Sequence, residues 1–196
     1  MMGASMKNPT IFANIKKQYQ SRESDRRSVM SKSNEALSKS KRAIFALHRD
    51  DLKSAVSLMH EADAFFLQCE KLFKSNASLK EEGSYRAALE EYAEAQLFLL
   101  YTQHEPVDKI AERAMEPSIY LGGLSDCTGE IVRYAMKHVT AGNVKEATRA
   151  RETVAMIIEF MLDLDLTGYL RTKFDQAKKN LRSLEEMMYE LALRGK

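Results

Sequence analysis

Apolar residues recur every three or four positions along almost the whole 196-residue chain, which is the period of an amphipathic α-helix. No segment alternates apolar and polar residues with period two, so strands are not predicted. Helices are predicted at residues 9–48, 50–73, 83–104, 117–140, 143–164 and 167–194, with one or two further turns between Pro106 and Pro117. Asp50, Asn143 and Thr167 are predicted N-caps. The pattern therefore predicts an all-α, single-domain bundle of six or seven helices over residues 9–196, after a disordered tail at residues 1–8.

Charge is distributed unevenly along the chain, although the net charge is only +2. Residues 1–53 contain 12 Lys and Arg against 5 Asp and Glu, whereas the remainder has an acidic excess. This asymmetry is typical of a first helix that binds a polyanion, and equally of a solvated basic face. No apolar run reaches the roughly 20 residues that span a bilayer, and the first residues lack the apolar core of a secretory signal. We expect a cytoplasmic protein without membrane contact, whose two cysteines, Cys69 and Cys127, are core residues.

Two pairs of carboxylates stand at helical spacing beside apolar stripes. Glu91 and Glu94 lie three residues apart in LEEYAEAQLF (89–98), and Asp126 and Glu130 lie four apart in SDCTGEIVRY (125–134). Each pair therefore shares one face of its helix. If the two helices pack side by side, four carboxylates converge, and their repulsion favours a hard divalent cation such as Mg²⁺ or Mn²⁺ between them. With a phosphate ester as substrate, such a site can activate water for hydrolysis.

The residues alone leave other interpretations open. The four acids could be solvent-exposed residues that pair with bases on neighbouring helices. A di-iron bundle is disfavoured, because no histidine follows a glutamate by three residues. An all-α nucleotide pyrophosphatase also holds Mg²⁺ with paired acids on two helices, although its second pair is typically more closely spaced. Glu90, about 100° round the helix from Glu91, is expected on the surface.

Four segments in this order resemble the translin/Trax family, specifically its Trax-like branch. They are SKRAIFALHR (40–49), LEEYAEAQLF (89–98), YLGGLSDCTGEIVRYA (120–135) and YLRTKFDQAKKNLRSLEEMMYELALRG (169–195). The resemblance implies a seven-helix, all-α fold. It also implies a metal-dependent endoribonuclease with Mg²⁺ as cofactor, Mn²⁺ as a substitute, and Glu91, Glu94, Asp126 and Glu130 as catalytic carboxylates and metal ligands. A translin-like member that binds RNA or DNA without cutting it is the alternative.

The resemblance also implies partners. Family assemblies are large hollow oligomers that hold RNA inside, so single-stranded or short RNA is the expected substrate, with single-stranded DNA as a further ligand. The short chain is similar to a compact, archaeal type of member, and a homo-oligomer, an octamer by resemblance, is expected without a translin partner. No base-stacking platform is expected, so binding should depend on the RNA backbone. The residues predicted to bind RNA are basic residues of the first helix, namely Arg22, Arg26, Arg27, Lys39, Lys41, Arg42 and Arg49.

Overall fold

The computed structural model describes residues 10–107, 113 and 115–195, and within these ranges the chain forms helices and no strand. The α-helices are α1 (Thr10–Leu47), α2 (Leu52–Phe73), α3 (Gly83–Thr102), α4 (Pro117–Thr140), α5 (Lys145–Leu162) and α6 (Gly168–Arg194), and a 3₁₀ helix (Ala77–Glu81) precedes α3. The all-α prediction is confirmed, with six α-helices in the described ranges. The predicted tail at residues 1–8 and most of the segment between Pro106 and Pro117 lie outside the described residues.

Two of the three predicted helix caps are wrong by one residue. Asp51, and not Asp50, is the N-cap of α2, and its carboxylate accepts a hydrogen bond of 3.0 Å from the backbone nitrogen of Ser54. Asp50 instead has a φ of 60°, in the left-handed region that reverses the chain between α1 and α2. Asn143 precedes the cap position of α5, which is held by Val144. Thr167 does occupy the N-cap position of α6, as predicted.

The two central helices, α3 and α4, hold the bundle together. Helix α1 packs against α2 and α3, α3 packs against α4, and α4 packs against both α5 and α6. Large side chains of the central helices are fully buried, among them Tyr92 and Phe98 on α3 and Ile131 on α4. Burial of each such side chain stabilises the fold by roughly 1.5–3 kcal/mol. The interface between α3 and α4 is therefore a well-packed framework that can fix the positions of the side chains it carries.

Both cysteines, Cys69 and Cys127, are free thiols in the core, as predicted. Burial raises the pKa of each thiol above its ordinary value. The thiols therefore stay protonated, which makes them unreactive packing residues.

None of the described helices is both long enough and apolar enough to cross a bilayer. This agrees with the sequence, in which no apolar run approaches the length of a membrane span. The location of the protein in the cell stays a prediction.

Candidate active site

Glycine residues let α3 and α4 pack closely at the level of the two carboxylate pairs. A Cβ atom on Gly123 would lie 2.7 Å from the Cβ of Ala93 and 2.9 Å from the backbone nitrogen of Glu94. Real Cβ atoms do not approach other atoms so closely, so this position requires glycine. Gly122 lies against the carboxylate of Glu90, a flexible side chain that could move, so its requirement for glycine is weaker than that of Gly123. The close packing sets the carboxylates of α3 beside those of α4.

Glu94 is the most deeply buried of the four acids, with only 9% of the residue exposed. Burial, and after it the negative charges of Glu91, Asp126 and Glu130, together raise the pKa of its carboxyl to about 9. Within the described part of the chain, no residue donates a hydrogen bond to this carboxylate. The structure thus brings the four predicted acids into one cluster. Their roles as catalytic groups and metal ligands stay a prediction.

The other three acids each face a basic side chain at the edge of the cluster. The pairs are Asp126 with Lys173 on α6, Glu130 with Nε2 of His48 just after α1, and Glu91 with Lys41 on α1, the last at 3.8 Å. Burial still raises the pKa of Glu91 and of Asp126. In residues 10–107, 113 and 115–195, no three or more His, Cys, Asp or Glu side chains are arranged so that they could hold a metal ion.

The donor set of the cluster fits a hard divalent cation. Carboxylate oxygens are the ligands that Mg²⁺ and Mn²⁺ prefer. A desolvated carboxylate such as that of Glu94, with other acids beside it and no hydrogen-bond donor in the described residues, is ionised at neutral pH only beside a positive charge. Glu91, Glu94, Asp126 and Glu130 therefore have the chemistry of ligands for such a cation, although no three of them are arranged to hold one in the described part of the chain.

The stability of the metal-free protein is expected to fall as pH rises from about 4.5 to about 9. In the unfolded chain Glu94 ionises near its ordinary pKa of 4.5, whereas in the folded protein its pKa is about 9. The folded state binds more protons at Glu94 throughout this window, so this residue contributes a fall in the free energy of unfolding of about 1 kcal/mol per pH unit. Urea denaturation in EDTA at a series of pH values measures this slope.

Two glutamine substitutions isolate the contribution of Glu94 to this slope. Glu94→Gln removes the titrating group, and Glu152→Gln changes an exposed glutamate of α5 as the control. Glu94→Gln is expected to be more stable than wild type at pH 8 and to have a flatter pH profile. Glu152→Gln should keep the wild-type slope. The same slope in all three proteins would show that Glu94 does not cause the loss of stability.

Glu90 is not the surface residue that the sequence predicted. Its side chain is 17% exposed, lies against Gly122, and accepts hydrogen bonds from the hydroxyl of Tyr169 at 2.6 Å and from Nζ of Lys173 at 2.7 Å. The prediction was wrong because the rotation that separates Glu90 from Glu91 turns it toward α6 and not toward solvent. Sequence reasoning does not identify Tyr169, Lys173 or His48 as neighbours of the acids. The spacing of Tyr169 and Lys173, one turn apart at the start of α6, is the local signal that points to the first two.

The seven predicted RNA-binding residues, of which six lie on α1 and Arg49 lies in the turn after it, divide into two groups. Four have partners in the bundle, namely Arg22 with Ser78 at 2.9 Å, Arg26 with Glu82 at 2.6 Å, Lys39 with Glu61 at 2.5 Å, and Lys41 with Glu91. Arg27, Arg42 and Arg49 are exposed and form no ion pair with any residue in the described ranges. Lys41 is the member of the set that contacts the carboxylate cluster. The role of all seven in RNA binding stays a prediction.

Two exposed aromatic rings lie near the two ends of the acidic pair on α4. Phe45 on α1 is 52% exposed. The guanidinium of Arg133 lies 5.4 Å from the ring centre of Phe45 and 3.7 Å from the carboxylate of Glu130. Tyr169 on α6 is 60% exposed, and its hydroxyl donates a hydrogen bond to Glu90. The sequence predicted no base-stacking platform. The structure shows two separate rings, each of which could stack with one base.

Comparisons with known proteins agree with this fold. The structure is similar to that of apo-NeC3PO, with a TM-score of 0.79 and 24% sequence identity, over 94% of this chain and 97% of that chain. It is also similar to AfC3PO in a complex with duplex RNA and to AfC3PO alone, each with a TM-score of 0.78, at 20% and 21% identity, over 92% of this chain and 97% of the other. No curated protein sequence matches the chain.

The family assignment rests on the sequence. The model of the Translin family matches residues 24–195, which include all four segments that carry the resemblance. The match therefore extends from the middle of α1 to the end of α6. The chain belongs to the Translin family.

Proposed function

We propose that this protein is a Mg²⁺-dependent endoribonuclease that cleaves single-stranded or short RNA, with Mn²⁺ able to replace Mg²⁺. The observation that carries the proposal is the buried carboxylate of Glu94, which has three other acids beside it. A protein that only binds a polyanion gains nothing from such a cluster, because clustered carboxylates repel phosphates. Membership of the Translin family, and similarity to AfC3PO, which was solved with duplex RNA, support RNA as the ligand.

Each acid of the cluster has a role in this proposal. Glu91, Glu94, Asp126 and Glu130 hold the cation, which when bound supplies polarisation of a phosphoryl oxygen and a lower pKa for water. One of the four carboxylates accepts the proton of the attacking water as general base. The water oxygen then bonds to phosphorus, one ester P–O bond of the RNA breaks, and the leaving oxygen takes up a proton.

Basic side chains along α1 and in the turn after it, and two aromatic side chains near the cluster, support RNA binding. Arg27, Arg42 and Arg49 have no ion pair in the described ranges, so they can contact phosphates without losing an existing salt bridge. Phe45 and Tyr169 add one stacking surface at each end of the cluster. The other proposed phosphate contacts, which would exchange a present partner for RNA, are Arg22, Arg26, Lys39 and Lys41.

We also propose that the chain works in the cytoplasm as a Trax-like homo-oligomer, an octamer, without a second kind of subunit. The formation of an oligomer is supported by the number of large apolar side chains that a single chain leaves exposed. Two groups of them lie at the start of α1 and at or just after the end of α5, namely Ile11, Phe12, Ile15, Tyr19, Met156, Phe160, Leu162 and Leu164. Exposed apolar patches of this kind mark surfaces that another protein chain covers.

Cleavage of a short, end-labelled, single-stranded RNA tests the proposed function. The wild-type protein is incubated with the RNA in Mg²⁺, Mn²⁺ or EDTA, and with single-stranded DNA of the same sequence. Cuts at internal positions are expected in either metal and none in EDTA. RNA that stays intact in both metals, at protein concentrations at which it is bound, would show that the protein is not a nuclease.

A non-catalytic helical oligomer that binds RNA or DNA is the second candidate function. It is favoured by the contacts of Lys41, Lys173 and His48, which place a basic group against three of the four acids. Tight binding without cutting in any metal would select this function. Hydrolysis of nucleoside triphosphates, with RNA neither bound nor cut, would select the nucleotide pyrophosphatase instead.

A further inference from the structure

Lys173 on α6 lies between two acids at the Asp126 end of the carboxylate cluster. Its ammonium group donates hydrogen bonds to Oε1 of Glu90, at 2.7 Å, and to Oδ2 of Asp126. The hydroxyl of Tyr169, one turn earlier on α6, donates to the same oxygen of Glu90 at 2.6 Å. The ring centre of Tyr169 lies 5.1 Å from the ammonium. Helix α6 thereby places one positive charge against acids of both α3 and α4.

Two features distinguish Lys173 from an ordinary surface ion pair. Its side chain is only 17% exposed and has partners on two other helices, whereas Lys178 pairs with an acid of its own helix, Asp175. Lys173 also lines an open depression together with Glu91 and Asp126. The ammonium is therefore held in a defined place and is still within reach of an anion that enters from solvent.

We propose that Lys173 contacts a phosphate of the bound RNA at this site and that Glu90 keeps it in position. The inference rests on the proposed function, because it assumes RNA as the ligand. A phosphate that approaches clustered acids is repelled and needs a positive charge nearby. A lysine ammonium has three N–H donors. When Asp126 binds a cation, Glu90 retains one donor, and the donor now directed at Asp126 becomes available to a phosphate oxygen.

Lys173 also competes with a cation for Asp126, since both are bound by the same carboxylate. Removal of the ammonium should therefore strengthen the binding of a divalent cation while it weakens RNA binding and cleavage. A lysine that only fastened α6 to the bundle would affect all three properties in the same direction, through the stability of the fold. Opposite changes in cation affinity and in RNA affinity therefore distinguish a phosphate contact from a purely structural role.

The experiment compares wild type with Lys173→Met, Lys173→Arg and the control Lys179→Met, which changes an exposed lysine of the same helix. Titration calorimetry without RNA measures the dissociation constant for Mn²⁺. Equilibrium binding of single-stranded RNA in Ca²⁺, with intact RNA verified on a gel, measures how affinity depends on KCl concentration. Cleavage in Mn²⁺ measures kcat and KM, and thermal melting verifies that each variant folds.

Lys173→Met is expected to bind Mn²⁺ several-fold more tightly than wild type. The slope of log affinity for RNA against log KCl concentration should decrease in magnitude by about 0.7, which corresponds to one lost phosphate contact on a single strand. The loss of a charge beside the reacting phosphate should lower kcat by about 10²-fold. Lys173→Arg should restore the salt slope because it keeps the charge. Lys179→Met should match wild type in every measurement.

A Lys173→Met protein with the wild-type salt slope, and with kcat within about twofold of wild type, would overturn the proposal and leave the nuclease function standing. Weaker Mn²⁺ binding together with a lower melting temperature would also overturn it, in favour of a structural role. If wild type cuts no RNA in any metal, the nuclease function fails. In that case an unchanged salt slope overturns the Lys173 proposal as well, and a reduced slope supports it.

Discussion

Changing Glu91 and Glu94 together to glutamine is expected to slow RNA cleavage by about 10³-fold or more. Glutamine keeps the size of the side chain and removes its negative charge, so two of the four proposed cation ligands lose their function while the packing of α3 is retained. RNA binding should be kept or tightened, because phosphates meet less repulsion in the cluster. Single-turnover cleavage of labelled RNA in Mg²⁺ and equilibrium binding of the same RNA measure the two effects.

The control for this double variant is Glu152→Gln, which removes a negative charge from the exposed face of α5 and should cleave at the wild-type rate. A loss of activity through unfolding is not expected, since Glu94→Gln removes the group whose raised pKa lowers the stability of the metal-free protein at neutral pH. Cleavage within about tenfold of wild type would show that the two glutamates are not the catalytic groups.

The helices and the two carboxylate pairs could be predicted because both depend on residues that are close together in the sequence. Pro117 begins α4, and Gly142, with a φ of 94°, follows its end. The spacing of Glu91 and Glu94 puts both on one face of α3 whatever the rest of the chain does. Resemblance to the translin/Trax family selected the same four acids, and the structure places them in one cluster.

The surroundings of the acids could not be predicted, because they depend on residues that are far apart in the sequence. His48 meets Glu130 across 82 positions, and Lys173 meets Glu90 across 83. Helical periodicity indicates which face of a helix is apolar, but it does not say which neighbour covers a polar position such as Glu90. The first helix illustrates the same limit, since nothing near Arg26 in the sequence predicts its ion pair with Glu82.

Replacement of Gly123 by alanine is expected to destabilise the fold by about 2–3 kcal/mol. The added Cβ would lie 2.8 Å from the backbone oxygen of Glu90 and 2.9 Å from the backbone nitrogen of Glu94. Backbone atoms cannot move away from the added methyl group as a flexible side chain can, so α3 and α4 must separate. Because this interface also sets the two carboxylate pairs against each other, cleavage should fall together with stability. Urea denaturation measures the first effect, and the RNA assay measures the second.

Gly129→Ala in the same helix is the matched control, because a Cβ there would meet only Nδ2 of Asn180 at 3.5 Å, an ordinary van der Waals distance. In a helix interior alanine is favoured over glycine, so this variant should be more stable than wild type by about 0.5–1 kcal/mol. The two substitutions add the same methyl group six residues apart on α4, and they should change the free energy of unfolding in opposite directions. A Gly123→Ala protein as stable as Gly129→Ala would mean that α3 and α4 do not approach closely enough to bring the four acids together.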